Sequence, residues 1–225
     1  MSNRELFLVS GGSGGIGSAV CELLAARGFM PIVGYCRGVR AAEAVARRCE
    51  GKALALDLVS ESSIADAAGE LAGAGAPLAG VVLAAAPVLT LHPFTEISVE
   101  EMTLQWQVGV LGPQRLIALL VRQCFRKLRR GSVVGVLTKA MGTEGARAAS
   151  NMGAYVVAKY GLAGVLAAAA AEYPWLRVRS VSPGYTETRM LAAFDERFLT
   201  LQREQQVFLT PREVAAQILD AAVGA

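Results

Sequence analysis

The sequence predicts an α/β fold: a doubly wound parallel sheet in a single domain spanning 1–225. Three observations carry this. Short apolar runs alternate with helix-patterned segments along almost the whole chain, which is the signature of strand–helix–strand units. The runs are apolar at nearly every position, as in strands buried on both faces. A glycine-rich stretch, SGGSGGIG (10–17), joins the first such run to the first helical segment, and sheets of this class bind their ligands at such strand-to-helix junctions.

The elements follow in order. LFLVS (6–10) reads as the first strand. IGSAVCELLAARG (16–28) reads as a helix, stopped by Gly28. PIVGYC (31–36) is a second strand, and a helix covers about 40–50. KALALD (52–57) is the third strand, followed by an alanine-rich helix at 61–74. GVVLAAA (80–86) is the fourth. A long helical segment spans about 98–128, interrupted near Gly109, Gly112 and Pro113. SVVGVLT (132–138) is the fifth strand, and a helix follows at about 152–172, for which Ser150 is a candidate cap. LRVRSVS (176–182) is the sixth strand. A last helix at 211–223 opens on Thr210 and Pro211, a capping residue followed by a first-turn proline. No linker or internal repeat divides the chain.

Composition narrows the function classes. Of 225 residues, 53% are hydrophobic and 18% charged, a globular balance rather than a disordered one. Much of the apolar content is alanine, and no run of 18 apolar residues occurs, so no membrane partner is expected. The opening MSNRELFLVSGG enters a strand directly, so no signal peptide is expected either. A net charge of +3 is too small to imply nucleic acid. The basic run with Arg122, Arg126, Lys127, Arg129 and Arg130 suits either a helix C-terminus or an anion-binding patch. Cys21, Cys36, Cys49 and Cys124 show no paired spacing, which fits free thiols in a cytoplasmic setting. His92 is the one histidine, so no metal site is expected.

The glycine stretch can be read in two registers. Gly12, Gly14 and Gly17 give G-x-G-x-x-G; Gly11, Gly15 and Gly17 give G-x-x-x-G-x-G. Either one, between a strand and a helix, lets backbone approach a pyrophosphate at the positive end of the helix. A phosphate loop of the lysine type is excluded, because no Lys-Ser/Thr follows the glycines. Twenty residues beyond Gly17, at the end of the second strand, stands Arg37, with Arg40 nearby. An acidic residue there would select NAD by its ribose hydroxyls; arginine suits the 2′-phosphate of NADP(H). Asp57 ends the third strand, where its carboxylate could meet an adenine edge or cap the next helix.

Further along lies Tyr155-Val-Val-Ala-Lys159. Positions i and i+4 share a helix face. An ammonium beside a phenol favours the phenolate, which tunes a tyrosine toward acid–base work.

These residues resemble the short-chain dehydrogenase/reductase family over nearly the whole chain, through SGGSGGIG, Arg37, Asp57, Tyr155-x-x-x-Lys159 and SPGYTET (182–188). The resemblance implies a Rossmann sheet and an NADP(H)-dependent oxidoreductase that reduces a small-molecule carbonyl to an alcohol, with 3-oxoacyl thioesters one substrate class. It implies Tyr155 as proton donor, Lys159 as its partner and a holder of the nicotinamide ribose, and Thr138 in place of the family's serine. Thr143 is the second choice for that hydroxyl. It implies cofactor contacts from Ser10, Gly11, Ser13, Gly15, Ile16, Gly17, Arg37, Asp57, Leu58, Ala85, Lys159, Pro183, Gly184, Thr186 and Thr188, with Gly12 and Gly14 as spacers. The family's last strand is missing, so a homodimer through the helices at about 98–128 and 152–172 is expected rather than a tetramer.

There are other departures from the family. Ala84-Ala85-Ala86-Pro87 replaces Asn-Asn-Ala-Gly, and Gly109 stands where the family's water-holding asparagine belongs. These admit a second reading, a nucleotide-binding protein with little catalysis. Residues 187–209 correspond to the family's substrate lid. Met190, Leu191, Phe194, Phe198 and Leu201 fall on one helical face, either as an apolar lid or as plain packing.

Overall fold

The computed structural model describes residues 4–142 and 147–224. Six strands form one sheet: β1 (Leu6–Ser10), β2 (Met30–Tyr35), β3 (Lys52–Ala55), β4 (Leu78–Leu83), β5 (Ser132–Val136) and β6 (Arg177–Val181). All pairings are parallel, in the order β3-β2-β1-β4-β5-β6. The chain winds outward from β1 to β3, returns to lay β4 beside β1, and winds outward the other way. That reversal opens a crevice above the C-terminal ends of β1 and β4.

Alternation along the strands explains why central runs such as Leu6–Val9 are wholly apolar, while the edge strands β3 and β6 carry Lys52, Arg177 and Arg179. Leu6 and Leu8 face one layer with Val81, Ile64 and Leu116, while Phe7 and Val9 face the other with Val82, Val20 and Ile218. The first layer holds α3 (Glu61–Ala72). The second holds α1 (Gly15–Ala26) and α2 (Val39–Arg48). The apolar run at 80–86 outlasts its strand: β4 ends at Leu83, and Ala84–Ala86 leave the sheet to line the crevice.

The long helical segment is not broken where glycine and proline interrupt it. α4 (Val99–Trp106), α5 (Gly112–Leu120) and α6 (Arg126–Leu128) are joined by π-type turns at Gln107–Leu111 and Val121–Phe125. Pro113 sits at the start of α5, where its missing N–H costs little. The basic run ends this rod. Arg129 takes a left-handed C-cap (φ 47°) and lies over the Trp175 ring, and Arg130 pairs with Glu5.

α7 (Gly153–Glu172) starts at Met152 with no side-chain cap, so Ser150 does not cap it. The segment 187–209 is not one helix either. A 3-10 turn covers Arg189–Ala193, and Asp195 starts α8 (Glu196–Gln205) afresh, its carboxylate accepting from the Arg197 and Phe198 N–H groups. The expected single apolar face therefore splits. Leu191 and Leu199 are buried, whereas Leu201 is exposed. α9 (Pro211–Val223) opens on a capping box between Thr210 and Glu213.

Candidate active site

The loop after β1 is shaped by contacts that only glycine allows. Gly11 has φ 67°, and a Cβ there would lie 2.8 Å from Ala85 Cα. A Cβ on Gly17 would strike the Gly11 carbonyl, and one on Gly15 would lie 2.6 Å from Thr188 Cγ2. Gly12 is more than the expected spacer: a Cβ there would sit 2.9 Å from the Val9 carbonyl. Gly14 is the N-cap of α1 and brings no side-chain cap, so the first amides of that helix stay open to a ligand.

Above this loop lies a cavity of about 1030 Å³. Gly11, Ser13, Gly15, Ile16 and Gly17 line its floor. Arg37, Asp57 and Leu58 line one end, and Pro183, Gly184, Thr186 and Thr188 line a wall. Ala85 lies between. Ser10 does not line it. Its buried hydroxyl accepts from the Ala85 N–H at 3.3 Å, so Ser10 fixes the loop against the segment after β4. Arg40 stands in the first turn of α2, outside the lining. Asp57 caps its own turn, one oxygen accepting from the Val59 N–H at 3.0 Å. Cys36, which the sequence did not single out, lies near Asp57, and its thiol is pushed up by burial and by that carboxylate.

At the far end Thr138, Tyr155 and Lys159 meet. The Thr138 hydroxyl stands on the Tyr155 phenol's side of the cavity and acts on its acidity. Thr138 is held by its own loop, its hydroxyl accepting from the Ala140 N–H at 3.1 Å. Lys159 donates from Nζ to the Val136 carbonyl at 2.6 Å and sits 5.5 Å from the Tyr155 ring centroid. The electrostatics differ from the sequence expectation. Burial pushes the Tyr155 phenol up, and the Thr138 hydroxyl only partly opposes this. Burial pulls the Lys159 ammonium down from 10.5 to about 8. Desolvation outweighs the phenol–ammonium attraction because both groups are buried and the ammonium is spent on a backbone carbonyl. Thr143 lies outside the described residues.

Gly109 sits in the π-type turn after α4, and a Cβ there would lie 3.0 Å from Ala158 Cβ. The helices approach closely where the resembling family has a polar side chain. His92 is held by Glu101 at 2.7 Å, and that carboxylate also accepts from the Thr90 hydroxyl at 2.7 Å. No metal-binding group of side chains occurs among the described residues.

The sequence reading missed Tyr185, Lys139, Arg147 and Arg189, all of which line the cavity. Tyr185 stacks on Phe208 at 4.9 Å and meets Phe194 edge-on, tying the lid to the wall. Lys139 and Arg189 directly follow Thr138 and Thr188, a signal present in the sequence. Arg147 reaches the cavity through a loop that carries no motif.

The residues present fit a dinucleotide. Glycines leave a cradle that a Cβ would fill, the amides at the start of α1 are free of side-chain caps, and a cation stands where the adenosine end would lie. Residues 11–222 match a family profile described as enoyl-(acyl carrier protein) reductase. The chain belongs to the short-chain dehydrogenase/reductase family. This is an oxidoreductase family that uses nicotinamide cofactors. The chain is 29% identical to the 2,5-dichloro-2,5-cyclohexadiene-1,4-diol dehydrogenase of Sphingobium indicum, covering 83% of this chain and 74% of that one. It is 29% identical to the 3-oxoacyl-[acyl-carrier-protein] reductase of Bos taurus, covering 85% and 79%. The same fold recurs in the 3-ketoacyl-(acyl-carrier-protein) reductase of Brucella melitensis complexed with NADH, with a TM-score of 0.87 and 20% identity over 97% of this chain and 90% of that one.

Proposed function

We propose that this short-chain dehydrogenase/reductase is an NADP(H)-dependent reductase that converts a ketone on an apolar body to the alcohol. The observation that carries this is the meeting of Tyr155, Lys159 and Thr138 at one end of a cavity whose other end holds Arg37. A nicotinamide dinucleotide in that cavity supplies the hydride. Tyr155, with its phenol held up by burial, keeps its proton at neutral pH and gives it to the substrate oxygen. Thr138 orients that oxygen from a loop already fixed by Ala140. Lys159 brings a positive charge to the base of the phenol. Leu89, Met152, Tyr155 and Val156, with Met190 and Phe194 from the lid, make the surroundings apolar. That surface supports a ketone on a ring or acyl body; the relatives' names carry a cyclohexadiene diol in one case and a 3-oxoacyl group in the other. The deciding measurement is NADPH absorbance over a panel of ring and acyl ketones.

Arg37 supports the choice of cofactor. A charge-assisted contact to a phosphate contributes roughly 1.5–3 kcal/mol. NADPH is expected to raise the melting temperature more than NADH, and Arg37→Ala to erase the difference. Equal stabilisation of the native protein by both would remove Arg37 from the recognition.

Gly109 favours a second reading, a dinucleotide-binding protein with weak catalysis, because glycine offers no side chain to hold a relay water. NADPH binding with no oxidation across the panel would select it.

The chain is also proposed to form a homodimer. Trp106 and Leu111 on the α4–α5 rod and Val157 and Tyr160 on α7 are exposed, as is Leu104, which also lines the cavity; exposed apolar residues of this kind are what subunits cover. α7 is long and apolar enough to cross a membrane, with a mean hydropathy of 1.5. Its inner side carries Tyr155 and Lys159, so its outer side is read as a subunit face. Leu104→Glu with Tyr160→Glu is expected to halve the mass measured by light scattering; a monomeric native protein would refute the dimer. The four free thiols support a cytoplasmic setting.

A further inference from the structure

We infer that the substrate carries an anionic group, a carboxylate, bound by Lys139 and Arg147. The inference rests on the reductase reading above and adds the polar half of the substrate. The charged residues lining the cavity divide by position. Arg37 and Asp57 lie at the adenosine end, and Lys159 lies beneath Tyr155. Lys139, Arg147 and Arg189 line the cavity as well, and none of them has an ion-pair partner among the described residues.

Backbone contacts separate these three cations. Arg189 follows Thr188, which touches Gly15 of the glycine loop, so Arg189 belongs to the side where the dinucleotide phosphates fit. Lys139 follows Thr138 directly. The segment with Arg147 is laid against it by a bond from the Ala149 N–H to the Ala140 carbonyl at 2.9 Å. Ala140 and Ala149 both pack on the apolar cluster around Tyr155. Lys139 also donates its N–H to the Pro183 carbonyl at 2.8 Å and lies beside Gly184, so the two cations stand at the cavity rim, where the Pro183–Gly184 wall meets the apolar cluster around Tyr155.

Among the described residues, the nearby carboxylates do not neutralise them. Glu187 and Glu196 are paired with Arg203, and Asp195 is spent on the start of α8. None of these three lines the cavity, and Asp57 is the one carboxylate that does among the described residues. Both side chains are exposed at the mouth of the cavity, where two cations of one sign attract an anion and disfavour cations. Gln202 and Gln206, from the lid, add neutral hydrogen-bonding groups to the lining. The ligand is therefore a ketone on an apolar body with a carboxylate at one end.

The test compares an oxo-carboxylic acid with its methyl ester. One charge-assisted contact is worth about 10- to 100-fold in kcat/KM. The native enzyme is expected to prefer the acid by at least that factor, mainly through KM. Lys139→Met with Arg147→Met is expected to collapse the preference. No preference in the native enzyme, or equal loss on acid and ester, would overturn the assignment. Binding keeps the result separate from the reductase reading: with NADP+ present, the acid and not the ester should raise the melting temperature of the native protein and not that of the variant. Turnover of neither compound with this binding pattern intact would sink the reductase reading and leave the anion site standing. Equal protection by acid and ester would sink the site.

Discussion

Tyr155→Phe is expected to lower kcat by about 10²–10⁴-fold while leaving the NADPH affinity unchanged, the range for removing a general acid. The substitution removes one oxygen and keeps the ring, so packing against Leu89, Met152 and Val156 survives. The oxygen it removes lies with Thr138 at the end of the cavity away from Arg37. The loss should appear in kcat and kcat/KM together, because the proton is needed only as the carbonyl is reduced. Single-turnover NADPH oxidation followed by absorbance, with binding from fluorescence, measures both. Unchanged turnover would take Tyr155 out of the chemistry, and a matching loss of NADPH binding would make it a structural residue.

The fold was legible because strand burial and helix periodicity leave separate marks. Runs such as Leu6–Val9 feed two cores at once and must be apolar throughout. The glycine register was legible from its setting between a strand and a helix. The role of Gly12 was not, because its close neighbour is the carbonyl of Val9 in the preceding strand, a contact fixed only once the turn is built. The role of Ser10 in holding the loop was hidden for a related reason: its hydroxyl accepts from the backbone amide of Ala85, 75 residues along the chain. The lid misled through its period. Its apolar spacing suits one helix, but Asp195 caps a new one in the middle. Lys139 and Arg147 were invisible as a pair, since the Ala149–Ala140 bond that aligns their segments leaves no trace in the spacing. The electrostatics of Tyr155 and Lys159 could not be read from i,i+4 spacing at all. Spacing sets proximity on a helix, but burial and the Val136 carbonyl decide where the ammonium points and what it costs.

That cost gives the second large effect: Lys159→Met is expected to make the protein more stable at neutral pH and nearly inactive. The Lys159 ammonium is held in the interior, its pKa brought from 10.5 down to about 8 by burial. The folded state therefore releases this proton more easily than the unfolded chain does. Below about pH 8 both states carry the proton, and the folded state bears the full desolvation penalty. Between about 8 and 10.5 the unfolded chain binds more protons, so this group makes stability rise with pH, by about 1 kcal/mol per pH unit. Cys21, Cys36, Cys49 and Cys124 act oppositely above about pH 9, and Tyr155 above about 10, because burial raises each of them. The difference between variant and native protein isolates Lys159. Methionine keeps the length and removes the charge, leaving the Val136 carbonyl without its donor, a partial offset of roughly 1–3 kcal/mol. Denaturant unfolding at pH 7, 8 and 9 should show the variant ahead at pH 7 and its lead shrinking as pH rises. Turnover should fall by roughly 100-fold or more, since the charge beneath the phenol is gone. A variant less stable at pH 7, with the same pH slope as the native protein, would mean that Lys159 is neutral or well solvated in the folded state. A buried cation that lowers stability and is kept for the site it serves is the stability–function trade expected of an active-site residue, and the opposite signs of the two measurements separate it from a lysine that merely packs.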